Sequence, residues 1–113
     1  MSEFGMWTQQ AISRPGIVAC GVKAPKSIDI LSRDPWFAQS KMEELLQILA
    51  EVGAALRQDQ LGGGRWRWRF ENCQIHSARR ADGAMALLVV KSQTAKAAAV
   101  DRLLLEFVSM EVP

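Results

Sequence analysis

Arg65-Trp66-Arg67-Trp68-Arg69-Phe70-Glu71 switches between charged and aromatic residues at every step. Side chains on a β-strand point to opposite faces with a period of two. The alternation therefore predicts a strand that carries Trp66, Trp68 and Phe70 on one face and the arginines on the other. The rest of the fold is read outward from this segment.

Downstream, Asn72 predicts a turn, and Gln74 to Arg80 returns as the next strand. A two-residue turn at Asn72-Cys73 would set Ile75 opposite Phe70 and Ser77 opposite Trp68, with His76 beside Arg69 and Val89. Glycine would suit the second turn position better than Cys73, so a longer turn stays open. Asp82-Gly83 is a favoured hairpin pair and leads into Met85-Ala86-Leu87-Leu88-Val89-Val90. So unbroken an apolar run suits a central strand covered on both faces. Ser92 or Thr94 can cap a last helix from about Ala95 to Met110, with Ala97, Val100, Leu104, Phe107 and Val108 on its inner side.

Upstream, Gly62-Gly63-Gly64 reads as a flexible connector. Before it, Met42, Leu45, Leu46, Leu49, Val52, Gly53 and Leu56 share one face of a helix over 40–56, and Ile48 and Ala55 widen that face. Glu43, Gln47 and Glu51 mark the opposite side. Asp34-Pro35 suits the start of this helix. Ser27 to Ser32 and Gly16 to Val22 read as two strands joined by a short turn around Ala24-Pro25. Met6 to Ser13 forms a short helix stopped by Pro15. Residues 1–5 are set aside as a disordered or foreign start, which leaves one domain over 6–111.

The element order is α-β-β-α-β-β-β-α. It predicts the α+β class, with a five-stranded antiparallel sheet and helices on both faces. A chain of 113 residues has room for one core. With 49% hydrophobic and 23% charged residues it belongs with folded rather than disordered chains. No apolar run approaches the roughly 20 residues that cross a bilayer. The N-terminus lacks the basic-then-apolar layout of a secretion signal, so the cytoplasm is the expected compartment. Cys20 and Cys73 make no disulfide framework. With His76 as the single histidine, neither a metal nor a cofactor is expected. The formal charge is +2, but it is unevenly placed. Arginines 65, 67, 69, 79 and 80 face one acid, Glu71, whereas the long helix and its flanks carry Glu43, Glu44, Glu51 and Asp59.

Taken together, the chain resembles the roadblock / dynein-light-chain family from about Trp7 to Met110. The likeness is carried by Arg14-Pro15-Gly16-Ile17-Val18-Ala19-Cys20-Gly21-Val22 after a short helix, and by the helix containing Leu45, Leu46 and Leu49. Phe70-Glu71-Asn72, Arg79-Arg80-Ala81-Asp82-Gly83 and the strand from Ala86 to Val90 complete it. These motifs are patterns of size and polarity. Family members often turn between the first two strands on an aspartate-glycine pair, where this chain has Lys23-Ala24-Pro25-Lys26. The resemblance implies a homodimer whose long helices pack together and whose edge strands join two sheets. It also implies association with a small Ras-like GTPase, or attachment to a larger signalling or motor assembly.

The wide stripe on the long helix independently suggests a second copy, because a small domain has little spare protein to cover both flanks. Met42, Leu46, Leu49, Gly53, Arg65, Arg67 and Arg69 are the candidate dimer contacts. Glu43, Glu51, Arg79 and Arg80 are the candidate partner surface, and Arg67 and Arg69 could meet Glu43 or Glu51 across a dimer axis. The bland reading is a helix buried within one subunit and an arginine strand whose stems cover one face.

Two other readings stay open. Binding of single-stranded nucleic acid would need exposed tryptophans beside the arginines, and alternation puts the two on opposite faces. A small-molecule sensor would need an enclosed pocket. No catalytic site is expected: His76 has no nucleophile arranged beside it, and Gly62-Gly63-Gly64 lacks the lysine and hydroxyl of a phosphate-binding loop.

Overall fold

The computed structural model describes residues 2–33, 39–58, 65–69, 73–91 and 97–111. The side chains at 39, 49, 50, 52–58, 66, 68 and 69 lie outside the described set. The elements are α1 (Glu3–Ile12), β1 (Ile17–Ala24), β2 (Ser27–Ser32), α2 (Gln39–Gln58), β3 (Arg65–Arg69), β4 (Gln74–Arg79), β5 (Met85–Val90) and α3 (Ala97–Ser109). The chain is α+β, with an antiparallel sheet in the order β2-β1-β5-β4-β3. None of the described helices is long and apolar enough to cross a membrane.

Strand β5 lies inside the sheet, and alternate residues of its apolar run serve two cores. Ala86, Leu88 and Val90 join Ile17, Cys20 and Val22 of β1 beneath α1 and α3. Met85, Leu87 and Val89 join Ala19 and Ile75 beneath α2. A strand buried on both faces cannot alternate apolar with polar, which is why this segment reads as a continuous hydrophobic run. In β1, Ile17 pairs with Val90 and Ala19 with Val89. Two steps on one strand thus match one on the other, as in a β-bulge. The extra residue explains why Ile17 and Cys20, three apart, share a core, while the adjacent Val18 and Ala19 both serve the opposite one.

Helix α2 reaches the sheet through Met42 and Leu46, both 0% exposed. It can approach because Gly21 has no side chain: a Cβ built there would sit 2.8 Å from Leu46 Cδ1. On the other face Phe4, Trp7 and Phe107 form an aromatic cluster, with ring centroids of Phe107 at 5.6 Å from Phe4 and 5.2 Å from Trp7. The Trp7 indole donates to the Leu103 carbonyl at 2.9 Å, tying α1 to α3. Buried tryptophans need such a partner for their N–H.

Several boundaries and faces differ from expectation. Helix α1 starts at Glu3 rather than Met6, because the Ser2 hydroxyl accepts from the Gly5 N–H and closes the first turn. The residues set aside above therefore supply Phe4 to the core. On α3, Leu103 is buried, whereas Ala97 is exposed and Val108 is 38% exposed. The inner face is Val100, Leu103, Leu104 and Phe107, a spacing of three and four that follows the helical period.

The β3–β4 register also differs. Trp68 pairs with Ile75 and Trp66 with Ser77, two residues from the expected alignment. Arg69 pairs with Gln74, so four residues separate the strand ends and the two-residue turn is not used. Cys73 suits the left-handed backbone of such a turn poorly. Between β4 and β5 the loop is Ala81-Asp82-Gly83. Gly83 N–H donates to Arg80 O at 3.1 Å, Arg80 N–H donates to Ala84 O at 2.8 Å, and Gly83 takes φ 94°. This is a turn followed by a left-handed residue, a three-residue alternative to the two-residue hairpin. The expected helix start at Asp34-Pro35, the Gly62–Gly64 connector, the turn at Asn72, the caps Ser92 and Thr94, and the rings of Trp66, Trp68 and Phe70 all fall outside the described residues or side chains.

Candidate functional site

A shallow groove of about 300 Å³ opens between the β3–β4 edge of the sheet and α3, lined by Arg65, Arg67, His76 and Asp101. The register builds it. Arg65 pairs with Ala78 and Arg67 with His76, and residues directly paired across antiparallel strands share a face. Ala78 belongs to the core under α1 and α3, so this is the α3 face. Position 101 follows Val100 and precedes Leu103 on α3, which turns Asp101 to the edge of the helix's buried stripe. There Asp101 Oδ1 accepts from Arg65 Nη2 at 2.6 Å. The two side chains are 46% and 61% exposed, so the pair is open to solvent and contributes little to stability.

Within the groove His76 is half-buried, and its Nε2 lies 3.0 Å from Gln74 Oε1. Burial, then the positive charges of Arg67 and Arg65, hold its titration below the ordinary imidazole value, and Asp101 opposes them. Two guanidinium groups and a neutral imidazole thus face one carboxylate. No carboxylate is paired with Arg67 among the described residues. The sequence reading placed His76 beside Arg69 and Val89. The structure sets it opposite Arg67, because the β3–β4 loop is longer, and opposite Leu88, because the β4–β5 loop has three residues rather than two.

The remaining candidates separate. Met42 and Leu46 are not available to a second subunit, since the sheet of their own subunit already covers them. What α2 turns outward is Ile48, 49% exposed, among the exposed Glu43, Glu44, Gln47 and Glu51. The side chains of Leu49, Gly53 and Arg69 lie outside the described set. The sheet stands between Arg67 and α2, so a contact of Arg67 with Glu43 or Glu51 would take a second copy. Arg79 is partly buried on β4, opposite Met85.

Arg80 is not a surface residue. It is 9% exposed and lies over the Phe4 and Phe107 rings at 5.4 and 5.6 Å. Its Nη1 donates to the Phe107 carbonyl and its Nε to Asp82 Oδ2 at 3.0 Å. A carbonyl in the last turn of a helix has no intrahelical donor, and a cation there also meets the negative end of the helix dipole. Arg80 therefore caps α3. Asp82 in turn accepts from Ala84 N–H at 3.0 Å. Burial alone would raise its carboxyl, but the Ala84 N–H and the Arg80 guanidinium outweigh that and lower it.

The cysteines serve packing. Cys20 is 0% exposed and donates to the Thr8 carbonyl at 3.3 Å, and burial pushes its thiol up to about 12 although a Leu31 backbone hydrogen bond pulls the other way. Cys73 is partly exposed, and its thiol is also raised by burial.

Sequence reasoning missed the part played by Asp101. It had no way to know that α3 would lie alongside β4, which is what brings residues 65 and 101 together. No protein-family model and no curated protein matches this chain.

Proposed function

We propose that this chain is a non-catalytic, homodimeric, protein-binding module of the roadblock type. Its sheet would continue into that of a second copy, and its partner would be a small Ras-like GTPase or a larger signalling assembly. The observation that carries this reading is the placement of β3. It pairs with β4 on one side and stands at the end of the strand order on the other. An edge strand presents a row of unpaired backbone donors and acceptors, which is a template for another strand. The element order and the helices on both faces of the sheet agree with this reading and support it further. A second support is Ile48, an apolar side chain left half exposed among the polar and charged residues that make up the rest of the described exposed surface of α2.

Such a module acts by contact. It would hold one arrangement of a partner by binding that arrangement better than the alternatives. The experiment is amide hydrogen exchange, followed as the protein is concentrated. Outward-facing amides of β3 become protected in a joined sheet and stay fast in a free one. Ile48→Lys is the companion variant, since a half-exposed position tolerates lysine without loss of fold. It should weaken self-association while leaving the thermal midpoint of the dilute protein unchanged. Fast exchange along β3 at every concentration would reject the joined sheet.

A further inference from the structure

We propose that the groove between β3, β4 and α3 binds a tetrahedral oxyanion of the phosphate type, held by the Arg67 and Arg65 guanidinium groups beside the His76 imidazole. Self-association is not required for this site.

The first argument is geometric. Arg67 and His76 are directly paired across β3 and β4, and Arg65 lies two residues along the same strand face. Three nitrogen-bearing side chains thus line one opening of about 300 Å³. Guanidinium is a planar fork whose parallel N–H groups match two oxygens of a phosphate or sulfate.

The second argument is charge. Asp101 neutralises one of the two arginines, and Arg67 has no carboxylate paired with it among the described residues. Burial among cations disfavours the imidazolium at His76, so the groove is short of negative charge rather than of positive. A dianion entering it would relieve that repulsion.

The third argument is exchangeability. The Arg65–Asp101 pair is solvent-exposed on both sides, so Arg65 can leave Asp101 for an incoming anion at small cost. Asp101 is then the built-in competitor. That predicts opposite effects for the two ends of the groove: losing Arg67 weakens binding and losing the Asp101 charge strengthens it.

The single histidine makes the test direct, because its ring protons report one site. Among the described residues the charged groups facing it are Arg65 and Arg67 from β3 and Asp101 from α3, and the neutral Gln74 on its own strand is its hydrogen-bond partner. The probe is sulfate, which keeps its double charge across the range in which histidine titrates. It is compared with sodium chloride at equal ionic strength, by proton NMR of His76 as pH is varied. Sulfate should raise the His76 midpoint clearly more than chloride does, and its affinity should rise as pH falls through the histidine range. Arg67→Ala should weaken the sulfate response about tenfold, the worth of one charge-assisted hydrogen bond at a partly exposed site. Asp101→Asn should strengthen it.

Both variants change exposed side chains, and circular dichroism verifies that each is folded. Phenyl phosphate and inorganic phosphate form the last arms: tighter binding of the ester assigns the groove to a phosphorylated ligand, and equal or tighter binding of the free ion assigns it to the ion. Equal shifts with sulfate and chloride would reduce the effect to screening and overturn the proposal. So would a sulfate response untouched by Arg67→Ala. A response that fades as protein concentration rises would give the groove to a carboxylate of a second copy and would equally end it.

Discussion

Replacing Arg80 with alanine tests whether this residue holds the fold together or serves a partner. The guanidinium is buried to 9% exposure, donates to the last turn of α3 at Phe107, and lies over two aromatic rings. A hydrogen bond from a charged donor contributes about 1.5–3 kcal/mol, and without it the Phe107 carbonyl keeps only the longer bond from the Met110 N–H at 3.4 Å. Each ring contact adds about 0.5–1 kcal/mol at partly exposed sites, although these contributions do not add independently. Against them stands the desolvation of a cation whose ion-pair partner among the described residues, Asp82, is 46% exposed. The balance is a loss of about 2–4 kcal/mol, a large share of what a domain of this size has. The thermal midpoint should fall by about 8–30 °C, because each kcal/mol moves a small domain by about 4–8 °C.

The assay is thermal and urea unfolding of Arg80→Ala, Arg80→Lys and Arg65→Ala, followed by circular dichroism. Lysine keeps the charge but loses the fork that reaches both Phe107 and Asp82, so it should recover less than half of the loss. Arg65→Ala removes only an exposed pair and should stay within about 0.5 kcal/mol of the parent. An Arg80→Ala protein as stable as the parent, with the same dependence on urea, would refute the capping role and return Arg80 to the surface.

Other expectations follow from the same packing. Gly21→Ala should cost about 1–3 kcal/mol, since its Cβ would meet Leu46 Cδ1 at 2.8 Å and Leu46 is itself fully buried. Combining it with Leu46→Ala should cost less than the sum of the two changes, and strict additivity in urea titrations would count against the contact. Trp7→Phe keeps the ring stack but loses the indole bond to Leu103, for about 1–2 kcal/mol by thermal unfolding. An unchanged midpoint would show that bond to be idle. In the folded protein at pH 8 a thiol reagent should modify Cys73 and spare Cys20, whose thiol is pushed up to about 12, with both reacting in urea. Two fast thiols before unfolding would contradict the burial of Cys20. Asp82 titrates below the ordinary carboxylate value in the fold, so its contribution is present above the unfolded value near pH 4 and is lost as pH falls through the lower, folded one. Asp82→Asn should therefore flatten the acid limb of the stability curve, and an unaltered limb would show the ion pair to be inconsequential.

The elements were readable where one pattern dominated. Ser27 to Ser32 is the strand that alternation and its bounding residues indicate, and the run from Met85 to Val90 is covered on both faces, as continuous apolarity requires. The stripe on α2 was visible, but not its division between sheet and solvent. Met42 and Leu46 read the same as Ile48 on a helical wheel, and the side that meets the sheet is set by the missing side chain at Gly21 on another element. The start of α1 is hard to read because its cap, Ser2, lies at the very beginning of the sequence, ahead of the residues whose spacing marks the helix.

Charged residues were the least legible. Arg79 and Arg80 are adjacent and chemically identical, yet alternation on β4 sends the second into an aromatic cluster built from α1 and α3. Nothing local signals that. The groove failed to appear for the same reason: Arg67 and His76 meet through a register that depends on loop length, and Asp101 arrives from a helix that begins eighteen residues after β4 ends.

The central claim is that one subunit leaves an edge strand and part of α2 for a second copy. Sedimentation equilibrium over a hundredfold range of concentration tests it most directly. The account predicts a mass approaching twice 12.5 kDa as concentration rises, with Ile48→Lys shifting that approach to higher concentration. A single species of 12.5 kDa throughout, unaffected by the substitution, would contradict it.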